Sequence, residues 1–179
     1  MLTKHKIKKS ILEIKTGDIT EEEAGAIVNA ANRELSPGGG VSGAIHEASG
    51  PELWEECKKL GGCDTGEAKL TGGYKLKAKY VIHTVGPIYS GKTSDIADLK
   101  NSYYNSLLLA SRNNIKSIAF PSISTGIFSY PIQEASLTAL RTIIKFLWEH
   151  HEIELVKMVL FSERDYHIYK SSLEAILEE

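Results

Sequence analysis

Two stretches of this sequence offer backbone amides and small side chains where a phosphate could sit. Gly38-Gly39-Gly40 runs into a helical pattern at Val41. Three glycines let the backbone approach a ligand closely, and a helix start presents unpaired N–H groups at the positive end of its dipole. The second stretch, Ser122-Ile123-Ser124-Thr125-Gly126-Ile127-Phe128, directly follows an expected strand. In α/β sheets the ligand crevice lies beyond the carboxyl ends of the strands. Both loops follow strands, so they fall on one edge of the sheet, placed to grip two phosphates from opposite sides. A glycine run alone also fits a surface turn; the pairing is the informative feature.

Other chemistries fail on context. Gly38, Gly40 and Gly43 fit GxGxxG in spacing, but they do not follow their strand immediately, and no acidic residue ends a second strand about twenty residues on. No GK[ST] is present, so a P-loop is excluded. His46-Glu47 opens like HExxH but meets Gly50, and neither Ser42 nor Ser124 sits in a GxSxG elbow. No metal, triad or cofactor chemistry is expected. Cys57 and Cys63 fit no zinc or redox spacing and are expected as reduced thiols.

The elements that must position the two loops alternate between strand and helix. Strands are expected at Ser10–Lys15, Ala26–Asn29, Glu67–Thr71, Tyr80–Val85, Ser117–Phe120 and Leu155–Phe161, the last fully buried by its apolar run. Helices are expected over Val41–Leu60 with a break at Gly50-Pro51, and over Ser94–Arg112, Gln133–His150 and Ile168–Leu177. Glu21–Gly25 adds a turn of helix capped by Thr20. This alternation predicts a sheet covered on both faces, with parallel pairing at its centre.

Within 179 residues there is no repeat and no linker, so residues 1–179 read as one domain. A net charge of −2 argues against general nucleic-acid binding. Met1 to Lys9 is basic without the apolar stretch of a signal peptide, and no run is long enough to span a membrane. The expected location is the cytoplasm.

Taken in order, Gly17-Asp18-Ile19-Thr20, Val28-Asn29-Ala30-Ala31-Asn32, Gly38 through His46, Val81 through Pro87 and Pro121 through Tyr130 form a series. That series resembles the macrodomain family, and within it the MacroD-type branch of ADP-ribose binders and hydrolases, over about residues 10–177. The resemblance implies a three-layer α/β/α sandwich around a mixed six-stranded sheet. Asp18 matches the acidic acceptor for the adenine amino group, with Ile19 giving backbone contact; a helix-cap aspartate is the alternative. Phe161 matches an aromatic beside the adenine, or it packs in the core. Asn32 matches the asparagine that bonds the distal ribose, and Asn29 orients the loop from below. Ala30, Gly39, Gly40 and Val41 match the loop along that ribose and its phosphate. Ser124, Thr125, Gly126, Ile127 and Phe128 match the second phosphate loop, with Phe128 covering the ribose. Cys57 and His83 read as structural.

Two residues depart from the family pattern. Ser42 stands where many MacroD-type hydrolases carry an aspartate thought to handle the attacking water, and a serine is no base at neutral pH without a partner. Ser129 stands where glycine is usual. Two readings stay open. One is an enzyme, with Asn32 and Ser42 at its centre, that removes ADP-ribose from acidic side chains of ADP-ribosylated proteins or deacetylates O-acetyl-ADP-ribose. The other is a non-catalytic reader of free or protein-linked ADP-ribose. The sequence favours the enzyme, because the cleft otherwise keeps its parts.

Overall fold

A computed structural model describes residues 1–179. In chain order the elements are β1 (Leu2–Ile7), β2 (Ser10–Thr16), a 3₁₀ turn (Ile19–Glu21), β3 (Ala26–Ala30), α1 (Gly40–Ser49), α2 (Glu52–Lys58), β4 (Ala68–Gly72), β5 (Tyr80–Thr84), α3 (Ser94–Arg112), β6 (Ser117–Phe120), α4 (Ile132–Glu149), β7 (Leu155–Leu160) and α5 (Glu163–Leu177). They form one mixed sheet of order β1-β2-β7-β6-β3-β5-β4. The five inner strands are parallel, and β1 and β4 close the two edges antiparallel.

Alternation along the strands decides which helices cover which face. In β3, Ala26 and Val28 face a core shared with Leu99, Tyr103 and Leu107 of α3, Ile143 and Phe146 of α4, and Tyr169 of α5. Ile27 faces the other way, onto Ile45 of α1 and Leu53 and Cys57 of α2. Each fully buried Leu or Ile contributes roughly 1.5–3 kcal/mol. The first face buries 28 residues and the second 14, so the layer that carries α1 is the thinner one. No helix is long and apolar enough to cross a membrane.

The sandwich stands as expected, but the sheet has seven strands rather than six. The additional strand is β1, whose alternating lysines hide a strand pattern. It pairs along its whole length with β2, from Leu2 opposite Lys15 to Ile7 opposite Ser10. Lys8 takes φ +51° in the tight turn between them. Exposed lysines on an edge strand also discourage further strand addition. Three local expectations are corrected as well. The turn expected at Glu21–Gly25 under a Thr20 cap is instead the 3₁₀ turn at Ile19–Glu21, capped by Asp18. α5 begins five residues before Ile168, behind a Ser162 cap. β7 ends at Leu160, with Leu155 and Lys157 only half buried and Phe161 exposed.

Candidate functional site

The carboxyl ends of β3, β5 and β6 open onto one cleft of about 780 Å³, counting its open mouth. Fifteen residues line it and none is charged. Any anion held here is therefore held by dipoles.

One wall is the segment from β3 into α1. Asn32 shapes its start: its Oδ1 accepts from the Ser36 amide (3.0 Å), and its Nδ2 donates to the Ser36 hydroxyl (3.0 Å) and carbonyl (3.2 Å). Past Pro37 the chain enters the helix with Gly40 at φ +54°, a conformation that glycine adopts without strain. A Cβ at Gly39 or Gly40 would meet nothing within 4 Å, so the bare backbone faces open space. The first bond of α1 runs from the Gly43 amide to the Gly39 carbonyl (3.2 Å). The amides of Gly40, Val41 and Ser42 precede it and have no helical acceptor.

The opposite wall is the loop after β6. Its base is pinned from α3 and α5. The Tyr103 hydroxyl accepts from the Ile123 amide (3.0 Å) and donates to the Pro121 carbonyl (3.3 Å), while the Tyr169 hydroxyl pairs with Ser122 Oγ (2.7 Å). Thr125 Oγ1 donates to the Ser122 carbonyl at 3.0 Å. The loop closes by Tyr130 N–H to the Ser124 carbonyl (2.9 Å) and Ser129 N–H to the Gly126 carbonyl (3.0 Å). No protein acceptor takes the amides of Thr125 through Phe128. Both Ser124 (φ +68°) and Ser129 (φ +61°) are left-handed, which explains why a glycine would suit position 129. Gly86, at the end of β5, leaves room for Ser124: a Cβ there would collide with Ser124 Oγ and the Ile123 side chain.

Ser42 and Ser124 stand on the two walls, each buried, each with a hydroxyl oxygen lacking any protein partner. A buried hydroxyl left unpaired is costly, so both positions are suited to a polar ligand atom or water.

The cleft brings together Ala30, Asn32, Gly39, Gly40, Val41, Ser42, Ser124, Gly126, Ile127 and Phe128. Thr125 belongs to the second wall but points back to Ser122 rather than lining the cleft. Asp18, Ile19 and Phe161 do not line it either. They lie beyond it, at the carboxyl ends of β2 and β7, where Gly17 N–H donates to the Leu160 carbonyl at 3.0 Å. Asp18 does cap: its Oδ1 accepts from the Thr20 amide (3.0 Å) and hydroxyl (2.7 Å). Its Oδ2 takes no protein donor. Phe161 is 91% exposed, which rules out the core-packing alternative.

Below β3 the structural residues form a polar cluster. Asn29 Nδ2 meets His83 Nδ1 at 3.1 Å, and His83 Nε2 meets Thr71 Oγ1 at 2.9 Å and Cys57 Sγ at 3.7 Å. Burial pushes the His83 imidazole down to about 3 and the Cys57 thiol up to about 11. An imidazole so weakly basic cannot draw the proton from a thiol so weakly acidic, so the two do not form a nucleophilic pair. No cluster of metal-ligating side chains is present.

Sequence reasoning missed Gly86 and His46. Gly86 lines the cleft and makes room for Ser124 through a tertiary contact that no spacing reveals. His46 lies one helical turn after Ser42, buried, with both ring nitrogens unpartnered and burial holding its pKa below the ordinary range. The i, i+4 spacing of Ser42 and His46 was the available sign.

A Macro domain family model matches residues 28–139. The human protein described as ADP-ribose glycohydrolase MACROD2 is 52% identical over 173 residues, 93% of this chain and 41% of that protein. The chain thus spans about two fifths of that relative's length. Among solved structures, a substituted variant of the Oceanobacillus iheyensis macrodomain with ADPR superposes with TM-score 0.97 at 46% identity, covering 100% of both chains. The Trypanosoma brucei macrodomain in complex with ADP-ribose superposes with TM-score 0.87 at 40% identity, covering 90% of this chain and 68% of that one.

Proposed function

The chain belongs to the macrodomain family, and on that premise we propose that it binds ADP-ribose and hydrolyses mono-ADP-ribosyl esters. The observation that carries the reading is the pair of opposed amide-bearing walls across an uncharged cleft. A diphosphate fits between them, one phosphate on the amides of Val41 and Ser42, the other on those of Thr125 through Phe128. The adenine then falls toward Asp18, whose free Oδ2 accepts from its amino group, with Ile19 and the exposed face of Phe161 beside it. The terminal ribose falls between Asn32, Gly39 and Phe128.

In the hydrolytic step, water adds to the anomeric carbon of that ribose and the acidic side chain leaves as its carboxylate, with one proton released. Asn32 lines the cleft beside that ribose and orients the sugar. Ser42 supplies a neutral hydroxyl that positions the water without taking its proton. Slow turnover is the expected consequence, since general-base help contributes about 10²–10⁴-fold where it is present. Deacetylation of O-acetyl-ADP-ribose uses the same cleft. The two unpaired, buried cysteines fit a reducing compartment, and a cytoplasmic location is part of the proposal.

The alternative is a reader that binds ADP-ribose without turnover, favoured by the serine at position 42. Single-turnover cleavage of an ADP-ribosylated protein, measured beside calorimetric ADP-ribose binding, separates the two. Ser42→Asp should cleave about tenfold faster while changing affinity less, because a group acting on the water stabilises the transition state over the ground state. Asn32→Ala should slow cleavage in both backgrounds. Tight binding with no cleavage in wild type or Ser42→Asp would leave the reader.

A further inference from the structure

The strap from Pro87 to Lys92, between β5 and α3, has no part in the function described so far. Its side chains give it little core to pack on: Ile88 is exposed, and Ser90 through Lys92 are exposed too. Two ties nevertheless fix it. At one end the Tyr89 amide donates to the Phe128 carbonyl at 2.9 Å, and the Tyr89 ring meets Tyr130 edge-on at 5.1 Å between centroids. At the other end Asp95, in the first turn of α3 and buried, collects the strap's donors. Its Oδ2 accepts from the amides of Ser90 (2.8 Å) and Gly91 (2.9 Å), and its Oδ1 accepts from the Ser90 hydroxyl (2.9 Å). The Ser90 amide is the foremost reason the carboxyl titrates below its ordinary range.

The wall that this strap touches needs outside support. Between Ser124 and Ser129 it holds two non-glycine residues in the left-handed region, a conformation that persists only where the surroundings over-determine it. Tyr103 and Tyr169 pin the base of that wall, near Ser122 and Ile123. At its far end, the hydrogen bond that Phe128 takes from outside the loop comes from the strap. A carboxylate on a nineteen-residue helix with its inner face in the core is a firm anchor.

We infer that Asp95 is a positioning residue, which acts through the Tyr89 amide to hold Phe128 against the terminal ribose of the ligand. The inference rests on the reading of Phe128 as the cover of that ribose. It predicts a division between ligands. ADP-ribose, which carries the ribose, depends on Asp95; ADP, which lacks it, does not.

The test uses Asp95→Ala, Asp95→Asn, Phe128→Ala and the Asp95→Ala/Phe128→Ala pair in the full chain. Without ligand, Asp95→Ala should speed amide hydrogen exchange across 89–91 and at Ser129 and Tyr130, whose amides close the loop, and leave the exchange of β6 unchanged. With ligand, it should weaken ADP-ribose by about five- to tenfold, the range for having to order one loop on binding, and ADP by less than about twofold. Asp95→Asn should restore most of the affinity, because an amide oxygen can still accept from both strap amides while its nitrogen donates to the Ser90 hydroxyl. In the Phe128→Ala background, Asp95→Ala should add nothing further.

A merely structural role, such as support of the α3 dipole, would lower stability and weaken both ligands alike; that result overturns the inference. So does additivity in the paired variant, or unchanged exchange at Ser129 and Tyr130. Equal affinity of the wild-type chain for ADP and ADP-ribose would instead count against the terminal-ribose reading itself, and the ligand-free exchange experiment would still decide whether Asp95 holds the loop.

Discussion

The loop at Gly38–Ser42 takes its shape from glycine and hands its free amides directly to α1. The loop at Ser122–Ser129 bends through left-handed serines and is held by tyrosine hydroxyls below, by the gap left at Gly86, and by the strap above. Both present unpaired amides to the same cleft. In the first, permissive residues make the conformation cheap; in the second, distant contacts hold a conformation that is locally unfavourable. Damage to the first loop should therefore stay local, whereas damage to the second should originate in other elements.

The largest expected effect comes from breaking the second loop without touching it. Gly86→Ala should cost about 2–3 kcal/mol of ADP-ribose affinity, the upper range for overpacking a tight site, measured by calorimetry. Ser124→Gly in that background should recover part of the loss, since it removes one of the two colliding side chains and relieves φ +68° together, while the Ile123 side chain stays. No recovery would show that the clash is absorbed elsewhere.

Next comes a change outside both loops. Asp18→Ala should weaken ADP-ribose by about 1–3 kcal/mol, the range for losing a hydrogen bond to a charged group. Stability should fall as well, by the roughly 1 kcal/mol typical of a lost cap. A fall in stability with an unchanged dissociation constant would assign Asp18 to the cap alone.

Gly40→Ala tests the first loop. Alanine at φ +54° should cost roughly 1–2 kcal/mol, divided between denaturant stability and ADP-ribose affinity, with ADP affected as much as ADP-ribose. A loss confined to ADP-ribose would make this loop resemble the second one after all.

The smallest effect is a gain. Ser129→Gly should relieve left-handed strain and raise stability by at most about 1 kcal/mol, read from chemical denaturation. It should also loosen the second loop in hydrogen exchange. If stability rises while affinity falls, the strain is serving the site.

The same contrast explains what could be read from the sequence. α3 and β6 were legible to the residue, because apolar periodicity and a terminating Pro121 mark them. β1 was not, since Lys4 and Lys6 on an edge strand look like a solvated tail. The start of α5 carried a readable sign in Ser162 and Asp165, where the serine side chain accepts from the Asp165 amide at 3.1 Å. The first loop announced itself through composition. The second announced its position, following a strand, but its conformation depends on Gly86, Tyr103, Tyr169 and Asp95, all distant in sequence. Asp18 was legible as one of two roles, and the structure leaves one carboxylate oxygen for each.

Burial of Cys57 and Cys63 has a practical consequence for watching these loops. Both thiols are pushed up to about 11, chiefly by desolvation, and both residues are buried. Thiol-directed reagents require an accessible thiolate, so the native chain presents almost no background to them. Ile127, at 89% exposure, sits on the tip of the strapped loop. An Ile127→Cys substitution would give a single fast-reacting handle there, and a fluorophore attached to it would report in real time how the loop meets its ligand, with no need to remove either native cysteine.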